Sequence, residues 1–161
     1  MILYHGSTVL VNKPEIRVGE TFSDFGIGFY TTTSYEQAER WATIKMRRGN
    51  TSVGYVSVYQ FDYEKAKTEL NIEHFKTANE AWLNFVVNNR KGNPTNNPAD
   101  LHIGPVADDN VYQSIRLFET GAYDADYIVK RLKSEVLHDQ WTLHTNEALG
   151  YLTFIEAKEI K

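Results

Sequence analysis

The sequence predicts a mixed α+β fold in a single domain spanning residues 1–161. Three observations carry that reading. Residues 53–61 (Val-Gly-Tyr-Val-Ser-Val-Tyr-Gln-Phe) are β-branched and aromatic, as a buried strand requires. Two segments, 35–48 and 78–90, carry helical apolar spacing behind capping residues. Strand and helix signals alternate irregularly, which fits an α+β arrangement better than a doubly wound parallel sheet. The chain has 161 residues, 42% hydrophobic and 24% charged, enough for one domain with a substantial core.

The elements follow in order. Residues 2–5 read as a short buried strand stopped by Gly6-Ser7-Thr8. Residues 9–33 read mostly as loop around a Gly-rich knot, Asp24-Phe-Gly-Ile-Gly-Phe29. Ser34 caps the helix at 35–48, with Gln37 three residues on, a stripe of Ala38, Trp41, Ala42 and Lys45, and Gly49-Asn50 as its end. After the strand at 53–61 comes a turn or short helix. Thr77-x-x-Glu80 opens the helix at 78–90, whose apolar side is Ala81, Trp82, Phe85 and Val86. Residues 92–98 read as loop and 101–107 as a strand bent at Gly104-Pro105. Helices are expected at about 110–120 and 124–137, parted by Gly121. A strand at 140–144, a short helix capped by Thr145 and a strand at 154–160 complete the chain.

Composition excludes several functions. With no Cys there is no disulfide, thiol chemistry or Cys-based zinc site. The segment Met1–Ser7 lacks a basic n-region, and no stretch approaches the ~20 apolar residues of a membrane span. The expectation is a soluble, cytoplasmic protein without a membrane partner. A net charge of −4, with one basic cluster at Lys45, Arg47 and Arg48, argues against nonspecific nucleic-acid binding.

Four constellations could carry chemistry. In Asp24–Ser34, two glycines, an aromatic, a run of hydroxyls and a capped helix follow one another, an order that suits a nucleotide cradle. A Gly-rich turn leading into an ordinary helix explains it equally well. Neither G-x-G-x-x-G nor a P-loop lysine is present. Tyr4-His5-Gly6-Ser7 ends a strand in an imidazole that can meet a ribose hydroxyl, or serve structurally. In His138–His144, Gln140 begins a strand and can point its amide into a cleft or to solvent; the two histidines lack metal-ligand spacing, so no metal is expected. Asp108-Asp109 can form a carboxylate pair or simply cap the following helix. No G-x-S-x-G elbow supports a serine hydrolase.

Taken in order, Leu3–Ser7, Asp24–Thr33, Gln37-Ala38 with Trp41-Ala42, Gly104–Asp109 and Asp139–Thr145 resemble a bacterial family of uncharacterised proteins grouped with the ADP-ribosyltransferases. Those of the His-Tyr-Glu branch are similar to diphtheria toxin and the poly-ADP-ribose polymerases. The resemblance implies an ADP-ribosyltransferase-like split β-sandwich with surrounding helices and NAD as co-substrate. It implies His5, Tyr30 and Gln140 as catalytic residues, His5 holding the adenosine ribose and Tyr30 stacking on the nicotinamide. Trp41, eleven residues on, supplies a second aromatic face for the cationic ring. Gly6, Ser7, Gly28, Phe29 and Thr31 complete the implied NAD contacts. Gln140 stands where active members carry Glu, so the carboxylate that steadies a developing oxocarbenium-like charge is replaced by a neutral amide. Asp108 or Asp109 is the candidate for the missing charge. The implied activity is ADP-ribose transfer to a macromolecular acceptor, in a toxin or defence setting with a protein antitoxin. The alternatives are an NAD glycohydrolase or an NAD/ADP-ribose-binding module without chemistry; an RNA 2′-phosphotransferase is disfavoured by the charge.

Overall fold

A computed structural model describes residues 1–18, 23–93 and 99–161. Among the described residues, thirteen elements follow in chain order: β1 (Ile2–Ser7), β2 (Phe29–Thr31), α1 (Tyr35–Gly49), β3 (Gly54–Phe61), α2 (Tyr63–Glu69), β4 (Ile72–His74), α3 (Glu80–Arg90), β5 (Leu101–Pro105), α4 (Asp109–Glu119), α5 (Ala125–Leu132), β6 (Asp139–Leu143), α6 (Asn146–Leu149) and β7 (Leu152–Ile160). The expected α+β class is what the chain adopts.

Two small sheets organise these elements. β1, β3 and β7 form one in the order β1-β3-β7, antiparallel throughout; β2, β6, β5 and β4 form the other in the order β2-β6-β5-β4, with only β4 and β5 parallel. Strand alternation sorts the side chains into two cores. Leu3, Tyr59 and Phe61 of the first sheet meet Phe29, Leu101, Ile103, Trp141 and Leu143 of the second in a core between the sheets. The opposite face of the four-stranded sheet is covered by α3, α4 and α5 through Trp82, Phe85, Val86, Val111, Ile115 and Ile128, with Phe25 and Phe75 beneath them. Helix α1 lies on the outer face of the three-stranded sheet.

Local chemistry explains most boundaries. Ser34 caps α1 by accepting from the backbone N–H of Gln37, and Asn50 closes it in the left-handed conformation. The buried residues of α1 are Gln37, Ala38, Ala42 and Met46; Trp41 is only half-buried and Lys45 is exposed, so the core-facing stripe is rotated from the expected one. Thr77 is not the cap of α3. Asn79 is: its Oδ1 accepts from Trp82 N–H at 2.9 Å, and the helix starts at Glu80. Ala81 is exposed, and Leu83 and Val87 take its place inside. Asn79→Ala is therefore expected to lower stability by about 1 kcal/mol, or about 2–4 °C in Tm, while Thr77→Ala leaves Tm nearly unchanged. Thermal unfolding of the two variants checks this.

The remaining differences are in the strands and in α5. β2 lies inside the expected loop, and β4 was not foreseen. β5 runs straight through Gly104, which pairs with Gln140, and ends at Pro105. Gly104 makes room for rings: a Cβ there would meet Phe25 at 2.9 Å and Phe75 at 3.2 Å. Helix α5 stops at Leu132, five residues early, and Val136 beyond it is exposed. Of the expected loop at 92–98, residues 94–98 lie outside the described residues. Among the described residues, no helix is long and apolar enough to cross a membrane.

Candidate functional site

The two sheets touch edge to edge at one rung. Tyr4 N–H donates to Thr32 C=O at 2.8 Å, and Thr32 N–H donates back to Tyr4 C=O at 3.0 Å. In an antiparallel ladder with that register, Gly6 and Tyr30 form the next rung, because backbone groups two residues apart point the same way. That rung does not form. Tyr30 C=O accepts instead from His5 Nδ1 at 2.6 Å, and Gly6 C=O accepts from the Lys45 ammonium at 2.7 Å. Two side chains thus take the carbonyls that would have continued the sheet, and the seam opens between Gly6 and Tyr30.

His5 is well defined by this geometry. A carbonyl only accepts, so Nδ1 carries the proton and Nε2 carries a lone pair. The ring is buried and stacks on Phe29 at 4.3 Å between centroids. Burial, reinforced by the Lys45 charge, pushes its pKa down to about 3. His5 is a neutral, oriented acceptor at every ordinary pH. It can receive a hydroxyl hydrogen bond, but it cannot act as a general acid near neutrality.

Gly6 must be glycine for packing. A Cβ would sit 1.9 Å from Ala38 O and 2.8 Å from Ala42 N, so α1 lies directly on β1 there. Tyr30 points to the helix-covered face of the four-stranded sheet. Its hydroxyl donates to Gly26 C=O at 2.6 Å and accepts from Phe25 N–H at 3.1 Å, so the ring fastens the Gly-rich turn. Burial raises its pKa well above the usual phenol value. Gly26 supplies the left-handed conformation this turn needs, at φ 80°. Gly28 allows a close approach to β6: a Cβ would meet Thr142 Cγ2 at 2.6 Å and Leu143 O at 2.7 Å.

Tyr30 lies opposite Thr142, and Gln140 follows two residues away on the same strand, so Tyr30, Thr142 and Gln140 share one sheet face. The Gln140 amide is buried, with one long contact to Pro105 C=O at 3.5 Å. His5 lies on the opposite, inter-sheet face with Phe29. The structure therefore joins His5 to Tyr30 through the Tyr30 backbone and Gln140 to Tyr30 by register, without bringing the three side chains into one cavity. Phe29 and Thr31, expected at the cofactor, are core residues; the Thr31 hydroxyl donates to Trp141 C=O at 2.8 Å. The Ser7 hydroxyl receives Val9 N–H at 3.5 Å.

The described candidate carboxylates near Gln140 are engaged elsewhere. Asp108 caps α4, accepting from Asn110 and Val111 N–H at 3.0 Å each; the Asp109 side chain lies outside the described residues. Asp139, next to Gln140, accepts from Thr32 Oγ1, Thr33 N and Oγ1, and Trp141 Nε1. A cleft of about 530 Å³ lies on the exposed side of α1, between Arg40, Thr43 and Arg47 and the start of α4 at Asp108. None of His5, Tyr30, Trp41 or Gln140 lines it.

A second polar cluster escaped sequence reading. His102 Nδ1 is 2.8 Å from His144 Nε2, His102 Nε2 is 2.9 Å from Glu73 Oε2, and His144 Nδ1 is 2.6 Å from Ile27 O. The signal was weak, since Glu73 lies on β4, His102 on β5 and His144 just after β6, far apart in sequence. Among the described residues, no group of three or more His, Asp or Glu side chains is arranged to hold a metal ion.

A family model described as "Protein of unknown function (DUF3990)" matches residues 1–154. The chain belongs to the DUF3990 family. No curated protein and no solved structure matches it. For this DUF3990 chain, the match spans β1 through the first residues of β7, and so includes both strands of the seam and Gln140.

Proposed function

We propose that the seam between the two sheets binds NAD and that the domain is an NAD-dependent ADP-ribosyltransferase, with an ADP-ribosyltransferase-like split β-sandwich as its fold. The observation that supports this reading most is the abandoned rung between Gly6 and Tyr30. Backbone groups of an edge that stops pairing are an oriented donor and acceptor set, suited to a planar carboxamide such as that of nicotinamide. His5 adds a fixed acceptor for a ribose hydroxyl from the same strand, and Trp41 adds an aromatic face on the helix packed against it. These groups fit a dinucleotide with a carboxamide at one end.

Each residue's part follows from its chemistry. His5 Nε2 accepts a hydroxyl. Gly6 faces the carboxamide once the Lys45 ammonium leaves its carbonyl. Tyr30 holds the Gly-rich turn and presents its ring, and Gln140 hydrogen-bonds a ribose hydroxyl without supplying negative charge. NAD provides the transferable ADP-ribose. The soluble cytoplasmic setting, the macromolecular acceptor and a protein antitoxin belong to the same proposal.

A second reading is supported by Gln140 and the occupied carboxylates. Asp108 and Asp139 are engaged in capping and strand contacts, so neither carboxylate is left to act beside Gln140. A domain so built holds NAD or ADP-ribose and transfers it slowly or not at all. Incubation of the purified protein with NAD⁺ and cell lysate, following free nicotinamide and labelled ADP-ribose, separates the readings. Label on a macromolecule supports the transferase, and nicotinamide without label supports a glycohydrolase. Gln140→Glu is expected to raise nicotinamide release by about tenfold or more if the neutral amide limits the reaction, since losing one transition-state electrostatic contact costs roughly that much or more. An unchanged or lower rate in this variant contradicts that role for Gln140.

A further inference from the structure

The chain Glu73–His102–His144–Ile27 has a proton count that its geometry fixes. It crosses from β4 through β5 and the residue after β6 to the Gly-rich turn before β2. Its three contacts of 2.9, 2.8 and 2.6 Å each require one proton between the heavy atoms. Two neutral imidazoles carry two. The Ile27 carbonyl can only accept, so His144 Nδ1 carries a proton and its Nε2 must accept. His102 Nδ1 must then donate to His144, and the contact between His102 Nε2 and Glu73 needs a third proton. His102 is sealed among Phe25, Phe75 and Phe85, so the third proton enters and leaves at the partly exposed His144 end of the chain.

We propose that these residues form a one-proton latch on the Gly-rich turn, closed when the third proton is bound and released when it leaves. In the closed state, His102 is an imidazolium donating to Glu73 and to His144, and His144 donates to Ile27. On deprotonation, His102 passes its Nδ1 proton to His144 Nε2, and the Nδ1 proton of His144 goes to solvent. The charge-assisted bond between His102 and Glu73 is the stronger one and is kept. The chain gives way at its other end, where the Nδ1 lone pair of His144 now faces the Ile27 carbonyl. The turn that opens carries Gly26, whose carbonyl holds the Tyr30 hydroxyl. The latch does not depend on what the seam binds.

The sign follows from the protonation states. The latch is closed on the acid side and opens as pH rises. Burial lowers the pKa of His102, and Glu73 pulls it back up. His144 is lowered by burial and by His102, and raised by its Ile27 bond and by Asp100. Asp24, on the turn itself, is raised by burial to about 6 beside Arg90 and Glu119, so its titration must be removed from the test.

Imidazole ¹⁵N NMR of His144 and amide protection of Gly26, followed against pH in an Asp24→Asn background, test the latch. The expected result is loss of the Nδ1 proton of His144 as pH rises, with Gly26 protection falling about tenfold, the worth of one hydrogen bond. Glu73→Gln supplies its own N–H to His102 Nε2, so both neutral histidines complete the chain. In that variant His144 keeps its Nδ1 proton and Gly26 its protection at every pH. A wild-type His144 that retains the Nδ1 proton throughout overturns the proposal, and so does a Glu73→Gln variant that titrates like the wild type.

Discussion

Gly6→Ala is expected to lose about 3 kcal/mol of stability, which for a chain of this size corresponds to about 6–12 °C in Tm. The new methyl would sit 1.9 Å from Ala38 O and 2.8 Å from Ala42 N, both backbone atoms of α1. A flexible side chain could turn aside, but a helix backbone cannot, so α1 must lift from β1. Lifting it also carries Lys45 away from the Gly6 carbonyl and strains the Tyr4–Thr32 rung beside it. The effect thus reaches the seam through the fold. Denaturant unfolding with unchanged m-value and a lowered midpoint is the expected record; near-wild-type stability contradicts the close packing of α1 on β1.

Tyr30→Ala is expected to remove NAD-dependent signal and to destabilise the protein by about 3 kcal/mol, toward the lower end for deleting a large ring because Tyr30 is half-buried. The two effects separate through Tyr30→Phe. That variant keeps the ring but leaves Phe25 N–H and Gly26 C=O without the hydroxyl, at a cost of about 1–3 kcal/mol. If Tyr30 serves the ligand through its aromatic face, Tyr30→Phe retains NAD binding, whereas Tyr30→Ala weakens it by roughly 2- to 30-fold for the lost cation–π contact alone. Full activity in folded Tyr30→Ala removes this residue from the site.

Much of this fold is legible in sequence because its signals are local. Ser34 and Thr145 announce α1 and α6 by capping chemistry, and the β-branched run at 53–61 announces β3. What was not legible depends on partners far away in sequence. β2 has three residues and exists because Phe29, Tyr30 and Thr31 find Leu143, Thr142 and Trp141 of β6. β4 exists because Ile72–His74 lies beside β5. The cap of α3 was misplaced by two residues because Thr77-x-x-Glu80 satisfies a capping-box pattern, while Asn79 holds the actual hydrogen bond. The same holds for the site. His5 and Tyr30 were found as motif residues, and the structure joins them through a backbone carbonyl that no motif reveals. Gly28, Phe29 and Thr31 matched a cradle pattern, yet their space is taken by β6 and the inter-sheet core. The His102–His144 pair was invisible because its members meet only when β5 and β6 are in register.

The proposed NAD site is tested most directly by calorimetric titration of NAD⁺ into the purified protein, alongside a Trp41→Ala variant. Trp41 is half-buried on α1 and is not among that helix's buried residues, and thermal unfolding of the variant is recorded alongside so that lost binding is read only from folded protein. Saturable one-to-one binding to the wild type, weakened roughly 2- to 30-fold by loss of the aromatic face, is the predicted result. Absence of binding heat, with no rise in Tm at millimolar NAD⁺, contradicts the account.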